Sequence, residues 1–379
     1  MENQTENCWL SVVVIYDGSD IRKSESEKME NLGWVRDLEG KFIHGYQTMN
    51  CVMIDNDAKK VKLLYCTPYS NKDPKFVSEK EMKLFEKGKL TDKDRQTEIE
   101  EFLELEDNYN SKKIIKEQIL AVHNKIKEVN PEIVIIHVFD RGFDSEDIFN
   151  FIDKLEDRMV IRIKSNRNSN IKIASKSGKE LNLKLQAKTF ENQAEQIIDK
   201  VSFKKKTYFN AIAKFQWESI IFGDKIYWVE KIDFRSNKGE KIFKEPMMLI
   251  SNYKLSNFQM VQYVYEIYLQ RPKIEGVFKF LKDVLGWETF RLQDYQSITN
   301  LICLAFFIGA YFYEIEDKLT NNETVKWICK LGKGKGKTTR HYFMRGLAVL
   351  IKVAEFEKFR KDNELTNEQI HDAMNEYLL

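Results

Sequence analysis

Residues 132–140 read EIVIIHVFD. The run is apolar and β-branched almost throughout, and it closes on a carboxylate. The strict apolar–polar alternation of a strand with one wet face is missing. A continuous apolar run of this length is the pattern of a strand buried on both faces, the place of a parallel strand with helices above and below it. Residues 9–17, WLSVVVIYD, repeat the pattern and also end in aspartate. Two such strands predict an α/β sheet. In open sheets of that class, ligands collect beyond the carboxyl ends of the strands where strand order reverses. Asp17 and Asp140 are therefore the first candidates for chemistry.

Working outward, GYQTMNCVMID (45–55) and VKLLYCTPYS (61–70) read as two more strands around the turn NDAKK. A polar helical stretch follows, roughly 73–129. DSEDIFNFIDKL (144–155) predicts a helix with Asp144 as N-cap and Asp147 three residues on. From about 159 to 250 the texture changes to short β-rich segments divided by turn residues. MMLISN (247–252) then returns as a core-type strand, with helices at about 256–269 and 272–285 and a helical last quarter. The division predicted is a core in two parts, 1–158 and 247–295, a β-rich insertion at 159–246, and a helical region at 296–379. With the insertion set aside, this order fits a ribonuclease H-like fold, a mixed five-stranded sheet with helices on both faces.

The chain has 379 residues, 42% hydrophobic and 12% aromatic, which supports a sizeable core and excludes general disorder. No basic stretch followed by an apolar one opens the sequence, so a secretory signal is not expected. The run LICLAFFIGAYFY (301–313) is too short to span a bilayer and reads as a buried helix. Five cysteines form no CxxC pair and have no histidine at ligand spacing, which argues against zinc. A cytoplasmic place in a bacterial or archaeal cell, near the nucleoid, is the expectation, with no membrane partner. The net charge of +2 hides clustering: residues 158–206 carry 13 Lys/Arg against four acids, and residues 330–345 carry six basic groups and no acid. Clustered positive charge suits a polyanion, nucleic acid first, although a lysine-rich surface is the ordinary alternative.

YLQRPKIEGVFKFLK (268–282) sets four polar residues around a proline. A helix starting near Pro272 places Glu275 in its opening turns and Lys282 two turns later, beside an apolar stripe of Ile274, Phe278, Leu281 and Leu285. From these residues alone a solvated charged face stands beside a functional reading. Two carboxylates ending adjacent buried strands repel each other unless a cation neutralises them, and a third, Glu275, can approach the same point. Oxygen donors without His or Cys suit Mg²⁺ or Mn²⁺. Two such ions stabilise the attacking and leaving oxygens of an in-line phosphoryl transfer.

The same stretch matches, at all four positions, the Y-x2-R-x3-E-x6-K signature of a group of bacterial insertion-sequence DDE transposases. IYDGSDIRKSESEKMENLG (15–33) resembles the segment around that group's first catalytic aspartate, and VFDRGFDS (138–145) the segment around its second. The resemblance runs from about residue 9 to 350. It implies a ribonuclease H-like catalytic domain with a β-strand insertion before the third acidic residue. It implies a DNA transposase performing phosphodiester hydrolysis and strand transfer, with two Mg²⁺ or Mn²⁺ ions held by Asp17, Asp140 and Glu275. Tyr268, Arg271 and Lys282 match positions that contact DNA phosphates; Arg141 and Lys23 are further phosphate-contact candidates. Element ends and target DNA are the implied partners, and a homodimer on DNA is compatible with them. The group carries an end-binding segment before the first catalytic strand, which this sequence is expected to lack. Some relatives place a tryptophan before the last core strand to clamp a flipped base; that place holds Met247 here. A structure-specific nuclease and an inert DNA-binding remnant are the competing readings.

Several motifs are set aside. Asp20, three residues after Asp17, reads as a turn residue, though an exchange of roles with Asp17 stays open. GKGKGKTT (332–339) imitates a phosphate-binding loop, but its glycines are misspaced and no buried strand precedes it. His123 and His137 read as structural.

Overall fold

A computed structural model describes residues 10–55, 60–104, 109–163, 187, 190–203, 206–222, 225–319 and 322–370. Two compact units are distinguished. The first comprises Met1–Phe278 and Arg291–Cys303, the second Lys279–Phe290 and Leu304–Leu379.

The first unit is a mixed α/β assembly. Its strands are β1 (Ser11–Arg22), β2 (Gly33–Arg36), β3 (Phe42–Asp55), β4 (Val61–Tyr69), β5 (Val134–Phe139), β6 (Arg158–Arg162), β7 (Asn192–Phe203), β8 (Lys206–Phe222), β9 (Lys225–Arg235) and β10 (Met247–Ser251). Among the described residues they form one sheet in the order β2-β3-β1-β5-β6-β10-β9-β8-β7, with β4 also on β3. β1 pairs antiparallel with β3 and parallel with β5, and β5 pairs parallel with β6. The continuous apolar runs behave as their composition requires: Val13, Val14, Ile15 and Tyr16 are all fully buried, as are Ile135, Ile136, Val138 and Phe139. Successive residues of a strand face opposite sides, so full burial of consecutive positions means that both faces are covered.

Helices α1 (Glu79–Glu86), α2 (Lys93–Glu104), α3 (Ser111–Val129) and α4 (Glu146–Lys154) precede the extension of the sheet, and α5 (Phe258–Tyr268) follows it. The polar stretch at 73–129 is thus three helices rather than one. Asn110 caps α3 by accepting the Lys113 N–H at 2.9 Å. One apolar face of α3 (Ile114, Ile115, Ile119, Val122) packs with Phe149 and Ile152 of α4 against Val14 and Tyr16. Ser145, not Asp144, is the N-cap residue of α4, because a 3-10 turn at Arg141–Phe143 first occupies the chain after Asp140.

Two expectations about the sheet change. β1 does not stop at Asp17 but continues to Arg22, because β3 pairs with it from Val12↔Asp55 down to Arg22↔Gly45. β6 (Arg158–Arg162), of which all but Arg158 is assigned from sequence to the insertion, is the parallel neighbour of β5. Met247–Ser251, read as a core-type strand, runs antiparallel to β6 and to β9 and is fully buried at Leu249 and Ile250. The strands of the insertion continue the same sheet, and Ile220, Tyr227 and Val229 share one core with Val14 and Tyr16. The segment ELNLKLQ and most of the basic stretch 158–206 up to residue 189 lie outside the described residues.

In the chain, α6 (Lys273–Asp283) and α7 (Tyr295–Leu319) each begin in the first unit and end in the second, which also contains α8 (Glu323–Leu331) and α9 (Arg340–Asp362). The core of the second unit joins Phe280, Phe312, Val325, Ile328 and Phe343. GKGKGKTT is the α8–α9 connection and follows a helix, with Thr339 accepting the Tyr342 N–H as the cap of α9. α7 is not the uniformly buried helix expected. Leu304, Phe307 and Tyr311 are more than half exposed, and its stretch Tyr295–Glu314 is long and apolar enough to cross a membrane.

Candidate active site

The parallel register of β1 on β5 ends at Ile15↔Val138. Two residues further along each chain stand Asp17 and Asp140, so the two carboxylates lie level at the end of the parallel pairing although Asp17 is in mid-strand. Asp140 is in extended conformation and accepts the Phe143 N–H through its carbonyl at 3.1 Å, which turns the chain away from the sheet at once.

The third contributor is the break between α5 and α6. α5 ends at Tyr268, and the chain crosses residues 269–272 in short turns before α6 restarts at Lys273. Pro272 has no N–H to continue a ladder, which is why the break falls here. The interruption points Arg271 and Glu275 to one place. Arg271 Nη2 donates to Asp17 Oδ2 at 2.5 Å and lies 3.9 Å from Asp140 Oδ2. Its Nη1 donates to Glu275 Oε1. One guanidinium thus joins all three acidic residues. The hydroxyl of Tyr268 donates to Asp140 Oδ1 at 3.2 Å, and Arg162 Nη1 stands 4.0 Å from the same oxygen.

The electrostatics follow from this crowding. Burial pushes the Asp17 carboxyl up to about 6; Arg271 opposes the shift, and Asp140 and Glu275 add to it. Burial works against the charge of Arg271, but the three carboxylates outweigh it and hold its pKa above the ordinary value. Burial, and then Asp140, raise the Tyr268 hydroxyl to about 12, so it remains a donor at neutral pH.

The other sequence candidates are placed unequally. Asp20 lies three residues from Asp17 in the same strand and therefore on the opposite face; its Oδ2 accepts the Arg36 N–H at 3.3 Å. Arg141 is exposed beside Asp140. With Arg162, Phe203, Phe243, Lys244 and Pro246 it lines a cavity of about 450 Å³ that adjoins Met247 in the chain. Lys23 is only 6% exposed, with its N–H on the His44 carbonyl at 2.8 Å, and is not offered to a phosphate. Lys282 belongs to the second unit, where its Nζ pairs with Glu288 at 3.1 Å. Arg162 is the site residue that sequence reasoning passed over, counting it only as bulk charge. Its signal was its position at the end of an apolar run, MVIR, like those ending in Asp17 and Asp140.

The two histidines are structural, as expected. The Tyr16 hydroxyl lies 3.0 Å from His137 Nδ1, His137 Nε2 lies 3.0 Å from Asp157 Oδ2, and His123 Nδ1 lies 2.8 Å from that oxygen. Burial keeps His137 below the usual histidine range, with Asp157 opposing. Cys51, Cys66, Cys303 and Cys329 are free thiols.

A family model described as Transposase DDE domain matches residues 116–311, just over half of the chain. The chain belongs to the transposase DDE domain family. No curated protein matches the sequence. Membership implies a polynucleotidyl transferase or nuclease acting on DNA, in a family that normally employs divalent metal ions. The matched span contains Asp140, Tyr268, Arg271, Glu275 and Lys282 but starts well after Asp17. Asp17 lies outside that span, and the register of β1 on β5 sets it level with Asp140 in this transposase's acidic cluster.

The donor chemistry of that cluster fits a hard divalent cation: three carboxylates, no thiol or imidazole, and an Asp17 whose pKa stays raised even with a guanidinium against it. Among the described residues, however, no group of three His, Cys, Asp or Glu is spaced to enclose a metal ion. In this arrangement the carboxylates converge on Arg271 instead.

Proposed function

We propose that this DDE transposase hydrolyses and transfers phosphodiester bonds at the ends of a transposable element, with a ribonuclease H-like core and the Y-R-E-K arrangement around its third acidic residue. The observation that carries the reading is the meeting of Asp17, Asp140 and Glu275 at a single guanidinium, from three separate elements of the fold. Asp17, Asp140 and Glu275 would hold Mg²⁺ or Mn²⁺, two ions in the fullest form, whose Lewis acidity stabilises the attacking and leaving oxygens of an in-line displacement.

The chain's own residues supply the remainder. Tyr268 orients the Asp140 carboxylate. Arg271, Arg141 and, by resemblance, Lys282 offer cations to the DNA backbone. Lys23 is left out because it is buried. In the first step, water displaces the 3′-oxygen of the element's terminal nucleotide from phosphorus, leaving a 3′-hydroxyl and a 5′-phosphate. In the second, that hydroxyl displaces a 3′-oxygen in target DNA, forming one phosphodiester as another breaks.

Duplexes carrying the sequences that flank the reading frame, incubated with a supercoiled target and Mg²⁺ or Mn²⁺, provide the test. Nicking and joined products are expected, and Asp17→Asn, Asp140→Asn and Glu275→Gln should each remove both. Cleavage that survives all three substitutions would place the chemistry elsewhere.

A further inference from the structure

Arg271 is the one cation within ion-pair reach of Asp17 and Glu275 among the described residues, and it also reaches toward Asp140. We propose that Arg271 is the resident counter-ion of the acidic cluster and that a DNA phosphate is the ligand that draws it away. Asp17, Asp140 and Glu275 then take up a divalent cation tightly only after DNA has bound. The inference rests on the proposed reading of the cluster as a DNA-cleaving centre.

Three observations support it. First, a guanidinium and a metal ion compete for the same oxygens: the bond to Asp17 Oδ2 is 2.5 Å long, and the other nitrogen is bound to Glu275. A cation in that position lowers the affinity for a second one by simple repulsion. Second, the lock is incomplete and can be given up. Arg271 Nε is buried with no hydrogen-bond acceptor, so the fork is not fully used where it stands. A phosphate accepts two guanidinium N–H groups in parallel and is the ligand to which that fork is best matched. Third, Arg271 sits in the four-residue break between α5 and α6, outside either helical ladder. On its departure Asp140 keeps Tyr268 and Arg162, while Asp17 and Glu275 lose their cation. The group that leaves is therefore the one whose loss most raises the demand for a metal ion.

The experiment measures Mn²⁺ affinity from the free-ion paramagnetic signal, for the full chain and for Arg271→Ala, each with and without a short duplex of arbitrary sequence. Without DNA, Arg271→Ala is expected to bind Mn²⁺ about 5- to 150-fold more tightly than the unsubstituted chain, the usual span of such couplings. The duplex should tighten Mn²⁺ binding to the unsubstituted chain by a similar factor and to Arg271→Ala far less. Adding Asp17→Asn to Arg271→Ala should remove the gain, which ties it to this cluster. Equal Mn²⁺ affinity of the two proteins without DNA overturns the inference while leaving the catalytic reading intact, provided that the binding still depends on Asp17. Mn²⁺ binding indifferent to Asp17 overturns both. Should Arg271→Ala fail to fold, Arg271→Lys serves instead: its single ammonium cannot span three carboxylates, and it too must bind Mn²⁺ more tightly than the unsubstituted chain.

Discussion

The hydroxyl of Tyr268 donates to Oδ1 of Asp140 across 3.2 Å, and the tyrosine is only 5% exposed. A neutral donor on a carboxylate oxygen acts on the orientation of Asp140. Tyr268→Phe keeps the ring and removes that donor. Cleavage is expected to fall roughly 10- to 100-fold, the range for loss of a group that orients a metal ligand. Duplex affinity should hold, and stability should change by about 1 kcal/mol. A large loss of DNA affinity with unchanged cleavage at saturating DNA would instead make Tyr268 a phosphate contact.

Asp17 and Asp20 offer a cleaner pair. They lie on opposite faces of β1, Asp17 against Arg271 and Asp20 against the backbone of Arg36. Asp17→Asn should abolish cleavage, while Asp20→Asn should retain most of it at similar stability. Reversal of the two outcomes would exchange their roles.

Glu230 is fully buried on β9, opposite Trp217 and Leu249, and neither carboxyl oxygen has a hydrogen-bond partner. Burial pushes its carboxyl well above the ordinary glutamate value. A raised acid is neutral in the folded chain over a range in which the unfolded chain has already released the proton. Its contribution to stability is therefore fully present below about pH 4.3, the unfolded value, and is lost as pH rises, by up to ~1.4 kcal/mol per pH unit. Glu230→Gln cannot ionise. The difference between the two urea midpoints, followed from pH 5 to pH 8, should grow in favour of the variant. Parallel curves would show that Glu230 is ionised and solvated.

Gly346 marks the closest approach of α8 and α9. A Cβ built there would stand 1.9 Å from the carbonyl oxygen of Ile328, and the backbone cannot yield as a flexible side-chain tip would. Gly332 meets the carbonyl of Tyr342 in the same way at 2.0 Å. Gly346→Ala, a favourable change for an isolated helix, should here destabilise the second unit by about 1–3 kcal/mol through overpacking. Its thermal transition should move down; an upward shift would mean that the two helices are not packed this closely.

Much of the candidate site was legible from local patterns. A continuous apolar run closed by aspartate marks a buried strand reaching a polar edge, and that pattern alone picked out Asp17 and Asp140. The proline break at 272 and the helical stripe after it placed Glu275 near the start of a half-buried helix. These signals depend on neighbouring residues, where side-chain period and backbone geometry act directly.

Pairing and convergence were decided elsewhere in the chain. Whether β1 ends at Asp17 or runs on to Arg22 depends on β3, which contributes partners from Gly45 to Asp55. That Arg158–Arg162 pairs with β5 while Met247–Ser251 pairs with β6 and β9 is a matter of long-range partners, and both segments carry the same apolar texture. Above all, Arg271 and Asp17 are 254 residues apart. Each is an ordinary charge in its own stretch of sequence. Only the packing of the α5–α6 break against Asp17 in mid-β1 and Asp140 after β5 sets one guanidinium among three carboxylates, since charges act through distance in space and sequence order records none of it.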